Sequence, residues 1–287
     1  MAHAPILVGA DLSHSADEAI RQAGAWALRR SAPLVAVHAA PDEVFQALER
    51  PRVTSALRTR VESILGAGGP ALEVVITAGS PHGALVRLAD ERGAALLVVG
   101  AASHESLDRV LFGSTAEQVV RYAHCPVLVA RPSPADGVVI GATDFSEAAT
   151  TAVAAAAEES QRRGVPLRLV HCLQEPTTSL SLLGPVVISP PEMPQVEREE
   201  LKSAAESTLR SLLEATRAAG ACEVVTGSPA SAITAEARAL SAALVVVATR
   251  GRTGLARIAL GSVAEAIART APCSVLAVRK SAGQTKQ

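Results

Sequence analysis

The chain carries one pattern twice. Asp11 in the first half is matched by Asp144 in the second at an offset of 133, as are Pro33 by Pro166 and His38 by His171. Gly79 is matched by Gly227, Gly113 by Gly261 and Cys125 by Cys273, now at an offset of 148. The two offsets differ by 15 residues, which places one extra segment in the second half between His171 and Gly227. A period this long exceeds the roughly 20–50 residues of a solenoid repeat, so the repeated unit is a domain. The 287 residues accommodate two domains of about 100–200 residues each. The expected division is 1–131 and 137–287, joined by the Pro- and Ser-containing linker 132–136.

Each half alternates short apolar runs with helical stretches. In the first half, 6–10, 34–39, 72–77, 95–100 and 127–130 read as strands, with helices near 15–31, 42–66, 81–92 and 114–123. In the second, strands near 138–142, 167–172, 222–226, 243–248 and 274–278 alternate with helices near 147–164, 195–219, 229–241 and 262–270. The runs are continuously apolar rather than alternating, as parallel strands covered on both faces require. This predicts an α/β fold in which each half is a five-stranded parallel, doubly wound sheet with helices on both faces. The runs 127–130 and 274–278 are short apolar edge strands, suited to pairing between the halves or between chains. A pseudo-symmetric pairing of the halves is the natural expectation, with dimerisation through such edges as the wider one.

Composition excludes several classes. The net charge is −1 and no long run has one sign, so nothing attracts nucleic acid or an anionic membrane. Three Phe, one Trp and one Tyr leave no base-stacking platform. No apolar run approaches the roughly 20 residues of a membrane helix, and 1–10 does not resemble a leader. Four cysteines without a CxxC spacing read as reduced thiols, so the expected location is the cytoplasm. The extra segment, 176–194, contains Pro176, Pro185, Pro190, Pro191 and Pro194, which preclude a regular helix, around an apolar stretch at 180–188. A lid over a pocket, a dimer contact and a plain surface loop are all compatible with it.

One loop carries chemistry. The fourth strand of the second half ends in Val247 and Ala248, and Gly251, Arg252 and Gly254 follow before Gly261-Ser262, where a helix begins. Glycines let backbone amides approach a phosphate, and a helix N-terminus presents unpaired N–H groups with partial positive charge. Gly261 and Ser262 stand where such amides would point outward, and the Ser262 hydroxyl can cap the helix or meet a phosphate oxygen. The loop leaves the carboxyl end of a strand, where doubly wound sheets bind ligands. A tight turn followed by an ordinary helix cap explains the same residues without a ligand. There is no GxxxxGK[ST] loop, no GxGxxG after the first strand and no GxSxG elbow. His38 and His171 read as packed strand residues.

Several motifs now recur in order. Asp144-Phe145-Ser146-Glu147 follows the first strand of the second half, Gly227-Ser228-Pro229 the third, and Leu260-Gly261-Ser262-Val263 ends the loop. The first half has Asp11-Leu12-Ser13, Gly79-Ser80-Pro81, Phe112-Gly113-Ser114 and Cys125-Pro126-Val127. In these motifs the chain resembles the universal stress protein family over nearly its whole length, twice in tandem. The resemblance implies two flavodoxin-like domains, some members of the family binding ATP through G-x2-G-x9-G-[ST] and others binding no nucleotide. Where ATP binds, it implies that the Asp after the first strand meets adenosine, the end of the second strand offers backbone to adenine, and the Gly loop holds ribose and phosphates. On this chain those positions are Ala142, Asp144, Cys172, Val247, Ala248, Gly251, Arg252, Gly261, Ser262 and Val263. A weaker second site would use Asp11, Ala39, Gly100, Ser103, Gly113 and Ser114.

Neither copy of the motif is complete: Ser103 replaces the second Gly in the first half, and Ala248 the first Gly in the second. A Cβ matters there only where φ is positive or a ligand passes in contact. Charge separates the halves further. Residues 248–262 carry Arg250, Arg252 and Arg257, a sum of +3, whereas Glu105, Asp108 and Arg109 in 100–114 sum to −1. A triphosphate should therefore prefer the second half. The expectation is a stress-response regulator that binds ATP mainly in its C-terminal half, with Mg²⁺ accompanying ATP although no dedicated carboxylate cluster stands out for it. A slow ATPase and a nucleotide-free interaction module with an unknown protein partner are the competing readings.

Overall fold

The computed structural model describes residues 3–11, 13–40, 43–101, 113–174, 194–249 and 260–279. In the first half the order is β1 (Ile6–Gly9), α1 (His14–Arg30), β2 (Leu34–Ala40), α2 (Glu43–Leu65), β3 (Leu72–Ala78), α3 (Pro81–Glu91), β4 (Leu96–Gly100), α4 (Ser114–Tyr122) and β5 (Val127–Ala130). The second half repeats it as β6 (Val139–Thr143), α5 (Glu147–Arg163), β7 (Leu167–Leu173), α6 (Gln195–Thr216), β8 (Gly220–Thr226), α7 (Pro229–Ala239), β9 (Leu244–Ala248), α8 (Ser262–Thr270) and β10 (Ser274–Val278). These elements follow the apolar runs closely because strands such as Leu96–Gly100 and Leu244–Ala248 are buried on both faces, so each residue contributes to burial. Pro81 and Pro229 open α3 and α7 at the first helical positions, where a missing N–H costs nothing.

Among the described residues all ten strands form one sheet in the order β3-β2-β1-β4-β5-β10-β9-β6-β7-β8. Within each half the strands are parallel, and the halves meet by antiparallel pairing of β5 with β10. The edges that the sequence left open are therefore closed within the chain, and β3 and β8 are the outer strands. Leu128 pairs with Leu276, its own counterpart at offset 148, so a local twofold axis passes between them. The apolar core lies in two layers, each running through both halves. One packs α1, α2, α5 and α6 on one face of the sheet, and the other packs α3, α4, α7 and α8 on the opposite face.

The local twofold is reinforced by reciprocal arginines. Arg131 follows β5, and its Nη2 donates to the carbonyls of Ala268 (2.5 Å) and Arg269 (3.3 Å) at the end of α8. Its counterpart Arg279 follows β10 and donates to the carbonyls of Val120 (3.3 Å) and Arg121 at the end of α4. A cation there satisfies terminal carbonyls and complements the helix dipole. Across the seam between α1 and α5 the symmetry breaks at one position: Trp26 in α1 corresponds to Glu159 in α5. Glu159 is 1% exposed and accepts from Arg30 Nη1 at 2.6 Å, with Arg163 at 3.2 Å and Arg29 at 3.7 Å. The same three guanidiniums lie over Trp26, Arg30 nearest at 4.3 Å from the ring centroid. Four equivalent arginines would repel; the carboxylate and the indole face supply the negative partners.

Candidate functional site

In each half the chain leaves the first strand toward one side and the fourth toward the other, which opens a crevice at their carboxyl ends. In the first half this crevice is a cavity of about 370 Å³, within the roughly 300–1,000 Å³ range of small-molecule sites. The ends of β1, β2 and β4 and the first turns of α3 and α4 converge on it. Of the expected residues, Asp11, Ala39, Gly100, Gly113 and Ser114 all line this one cavity. Ser103 lies outside the described residues. Gly9, Ala10, His38 and Thr115 also line it and were not anticipated. Their positions at strand ends or in the first turn of the helix were the available signal.

Each wall has a local cause. Asp11 Oδ1 accepts from the Ser13 N–H at 3.0 Å and from the Ser13 hydroxyl, turning the chain into α1. His38 Nδ1 meets the Ala10 carbonyl at 3.1 Å, so the neutral ring donates from Nδ1 and keeps Nε2 as an acceptor. The Ala40 carbonyl accepts from the Gly79 N–H on the β3 side, and the Val37 carbonyl accepts from the Ala10 N–H on the β1 side. Backbone groups alternate along a strand, so Ala39 turns its N–H and C=O toward the gap beyond the end of β1.

The second half repeats the frame with different filling. Asp144 Oδ1 accepts from the Ser146 N–H at 3.0 Å, and Ser146 Oγ caps α5 by accepting from the Ala149 N–H at 3.2 Å. Between them Phe145 takes a left-handed φ of 63°, uncommon for a bulky residue. Its N–H donates to Thr143 Oγ1 at 3.0 Å, and its ring stacks on His171 with centroids 4.1 Å apart. His171 is buried and meets the Thr143 carbonyl through Nδ1 at 2.8 Å. The histidines thus divide: His171 is packed, as expected, while His38 lines a cavity. Cys172 is buried with Sγ 3.3 Å from the Gly227 carbonyl, and burial raises its thiol pKa. Alternation again turns the Cys172 backbone away from β8, because the neighbouring Leu173 carbonyl accepts from the Gly227 N–H.

Ala142 is buried in β6, and Val247 and Ala248 end β9, which pairs with β6. Gly251 and Arg252, with Arg250 and Arg257, lie outside the described residues, as do 176–193 of the extra segment. α8 starts at Ser262, as expected, with Gly261 as its N-cap residue. One expectation there is corrected. The Gly261 N–H does not point outward, because it donates to the Thr249 carbonyl at 2.8 Å and closes the loop. Gly113 closes the first loop identically onto Ala101 at 2.7 Å. The amides that α8 offers outward are those of Ser262, Val263 and Ala264, which have no intrahelical acceptor. Gly261 sits at φ −64°, ψ 138°, a conformation open to any residue.

At four equivalent wall positions the first half carries the smaller residue: Gly9 against Ala142, Ala10 against Thr143, Ala39 against Cys172 and Gly100 against Ala248. The first half's cavity therefore owes part of its space to missing side-chain atoms, a feature that loop charge does not register.

The sequence profile of the universal stress protein family matches residues 3–131 and 138–279. A universal stress protein of Mycobacterium tuberculosis is 32% identical, with 96% of each chain covered. One of Mycolicibacterium smegmatis is 31% identical at the same coverage of both. Among solved structures, a putative universal stress protein from Pseudomonas aeruginosa aligns with a TM-score of 0.70 at 16% identity, over 97% of this chain and 94% of its own. A universal stress protein from Archaeoglobus fulgidus aligns at 0.68 and 18%, over 96% of each. At these identities the structural likeness is one of fold.

Proposed function

This chain belongs to the universal stress protein family, and we propose that it is a cytoplasmic, nucleotide-responsive regulator whose C-terminal domain, 137–287, binds ATP. One observation carries the reading. Ala248, the residue that breaks the glycine motif, is an ordinary strand residue paired with Val278, and its φ is not positive. Its Cβ therefore costs no backbone strain. That removes one objection to a loop whose sequence charge of +3 favours a triphosphate.

The residues present fit such a ligand. The amides of Ser262, Val263 and Ala264 can meet phosphate oxygens at the positive end of α8. Asp144 can accept from a ribose hydroxyl, and the Cys172 backbone can pair with the edge of a base. ATP would act by binding one conformational or association state better than another. Since β5 and β10 already pair within the chain, association between chains would use the outer strands β3 and β8. Among the described residues no helix is long and apolar enough to cross a membrane.

The test is to denature the purified protein and identify released nucleotide by mass spectrometry, with Gly261→Val protein in parallel. The backbone conformation at Gly261 imposes no strain on valine, and an unchanged melting temperature of the variant would separate loss of ligand from damage to the turn. ATP near one per chain, lost in the variant, is expected. No nucleotide in either preparation, together with no heat on titration with ATP, would refute the assignment.

A further inference from the structure

We propose that the seam between the halves is a recognition surface for unlike halves: the first half takes as partner the second half of this chain, or of a second copy, and rejects another first half. The paired strands cannot make that choice. Val127, Leu128 and Val129 correspond to Val275, Leu276 and Ala277, so β5 would lie against a second β5 much as it lies against β10. The groups that choose stand beside the strands.

The first is a buried polar network of residues that are not repeated. Gln22 in α1 donates from Nε2 to the Arg131 carbonyl at 2.8 Å. Ser274 Oγ accepts from the Arg131 N–H at 3.1 Å, and its own proton has Gln22 Oε1 at 2.9 Å and the Arg131 carbonyl at 3.0 Å as acceptors. All three residues are buried. The counterpart of Ser274 at offset 148 is Pro126, and that of Gln22 at offset 133 is Ala155. In a pair of first halves, Pro126 would stand in the place of Ser274, leaving the Arg131 N–H without this acceptor and Gln22 Oε1 without this donor. In a pair of second halves, Ala155 would stand in the place of Gln22 and the network would lose its amide. A buried polar group stripped of its partner costs more than the bond itself contributes.

The second is the exchange of Trp26 for Glu159. A pair of first halves would bring Arg29 and Arg30 of both copies together without the Glu159 carboxylate that now accepts from Arg30. A pair of second halves would set two Glu159 carboxylates where Glu159 and Trp26 now share the arginines. Specificity comes from such penalties against the wrong partner as much as from contacts with the right one.

A protease site inserted in the mostly exposed linker 132–136 lets the folded full chain be cut, so both halves are present in equal amount. After dissociation in urea and dilution, native mass spectrometry separates the three pairs by mass. Chance pairing gives like and unlike pairs equally; unlike pairs are expected to exceed like pairs at least tenfold. Pro126→Ser gives the first half its own equivalent of Ser274 and should raise pairs of first halves at least threefold. Glu159→Gln should raise pairs of second halves. Leu128→Ala with Leu276→Ala weakens every pairing alike and should leave the ratio unchanged, which separates recognition from mere adhesion. Like and unlike pairs in equal amount, halves of the unmodified sequence that stay apart, or an unchanged ratio in both Pro126→Ser and Glu159→Gln would each overturn the proposal.

Discussion

The two halves share a backbone plan and differ in what fills it. Both close the fourth loop with a glycine N–H on the residue after the strand, and both hold a histidine Nδ1 against the last turn of the first strand. They diverge in the crevice walls, in the charge of the loop and at one seam position. The first half has an acidic, small-walled crevice; the second has larger walls and an arginine-rich loop. Duplication therefore preserved the bonds that aim the loops and left the ligand-facing surface free to change. The same reasoning applies at the seam. A twofold between identical domains would oppose like charges, and replacing one of two equivalent residues by its opposite in character resolves this without moving the backbone.

That seam is where the comparison can be broken most forcefully. Glu159→Ala removes the carboxylate that Arg29, Arg30 and Arg163 surround. Breaking a buried ion pair by removing one partner costs about 3–5 kcal/mol, because the remaining charges are uncompensated. Urea denaturation should show a loss of that size. The substitution at the equivalent position, Trp26→Ala, should cost a similar amount through lost volume and through the lost ring face beneath the three guanidiniums. A loss below about 1 kcal/mol for Glu159→Ala would mean that water and Trp26 suffice to hold the arginines.

The next contrast is between the reciprocal arginines. Arg131 is 4% exposed and Arg279 only partly buried, although they bond equivalent carbonyls. Arg131→Met keeps the stem but strips α8 of its terminal partner. With hydrogen bonds to charged groups worth about 1.5–3 kcal/mol, a loss in that range is expected. Arg279→Met should cost less. Equal losses would show that the local twofold extends to energetics, and a gain in stability for Arg131→Met would show that desolvation of the guanidinium outweighs its bonds.

Much of this frame was legible in the sequence, for an identifiable reason. Strands such as Leu96–Gly100 and Leu244–Ala248 are buried on both faces, so their apolar runs carry their own boundaries. Proline and glycine–serine pairs mark the starts of α3, α4, α7 and α8. The seam was not legible, because Arg131 reads as the entry to a linker and Trp26 and Glu159 are 133 residues apart on different helices. The place of the cavity was legible, since Asp11, Ala39, Gly100, Gly113 and Ser114 line it as expected, but its size was not. Its volume is the sum of Gly9, Ala10 and Ala39 from two strands, each of which alone reads as filler. Loop charge describes a preferred ligand, whereas wall size decides where there is space.

The equivalent cysteines offer a smaller contrast. Burial raises both the Cys273 and Cys125 thiols to about 11, but Cys273 is 2% exposed and Cys125 is half-buried. The folded state keeps a proton that the unfolded thiol releases above its ordinary value near 9. Stability is thus untouched below pH 9 and falls as pH rises toward 11. For Cys273 the loss should reach about 1.4 kcal/mol by pH 10. Burial lowers Arg131 to about 10, which acts in the opposite direction above that pH, so pH 9–10 is the window to read. Cys273→Ala should flatten the slope of stability against pH there, and Cys125→Ala should flatten it less.

The smallest expected effect tests the motif itself. Ala248→Gly restores the missing first glycine in the second half, and Gly100→Ala removes it from the first. Both positions are strand residues without positive φ, paired with Val278 and Ala130 respectively. Glycine in a strand interior costs about 0.5–1 kcal/mol, so Ala248→Gly, at the end of β9, should lower stability by no more than that. It should change ATP affinity by less than about threefold, under half of the 1.4 kcal/mol that a tenfold change requires. Gly100 lines the first cavity, so there the added methyl acts on whatever the cavity holds. An increase of tenfold or more in ATP affinity for Ala248→Gly would mean that ligand passes within contact of the Ala248 methyl. The incomplete motif would then be an obstruction in the second half rather than a neutral substitution, and the larger walls there would outweigh its favourable charge.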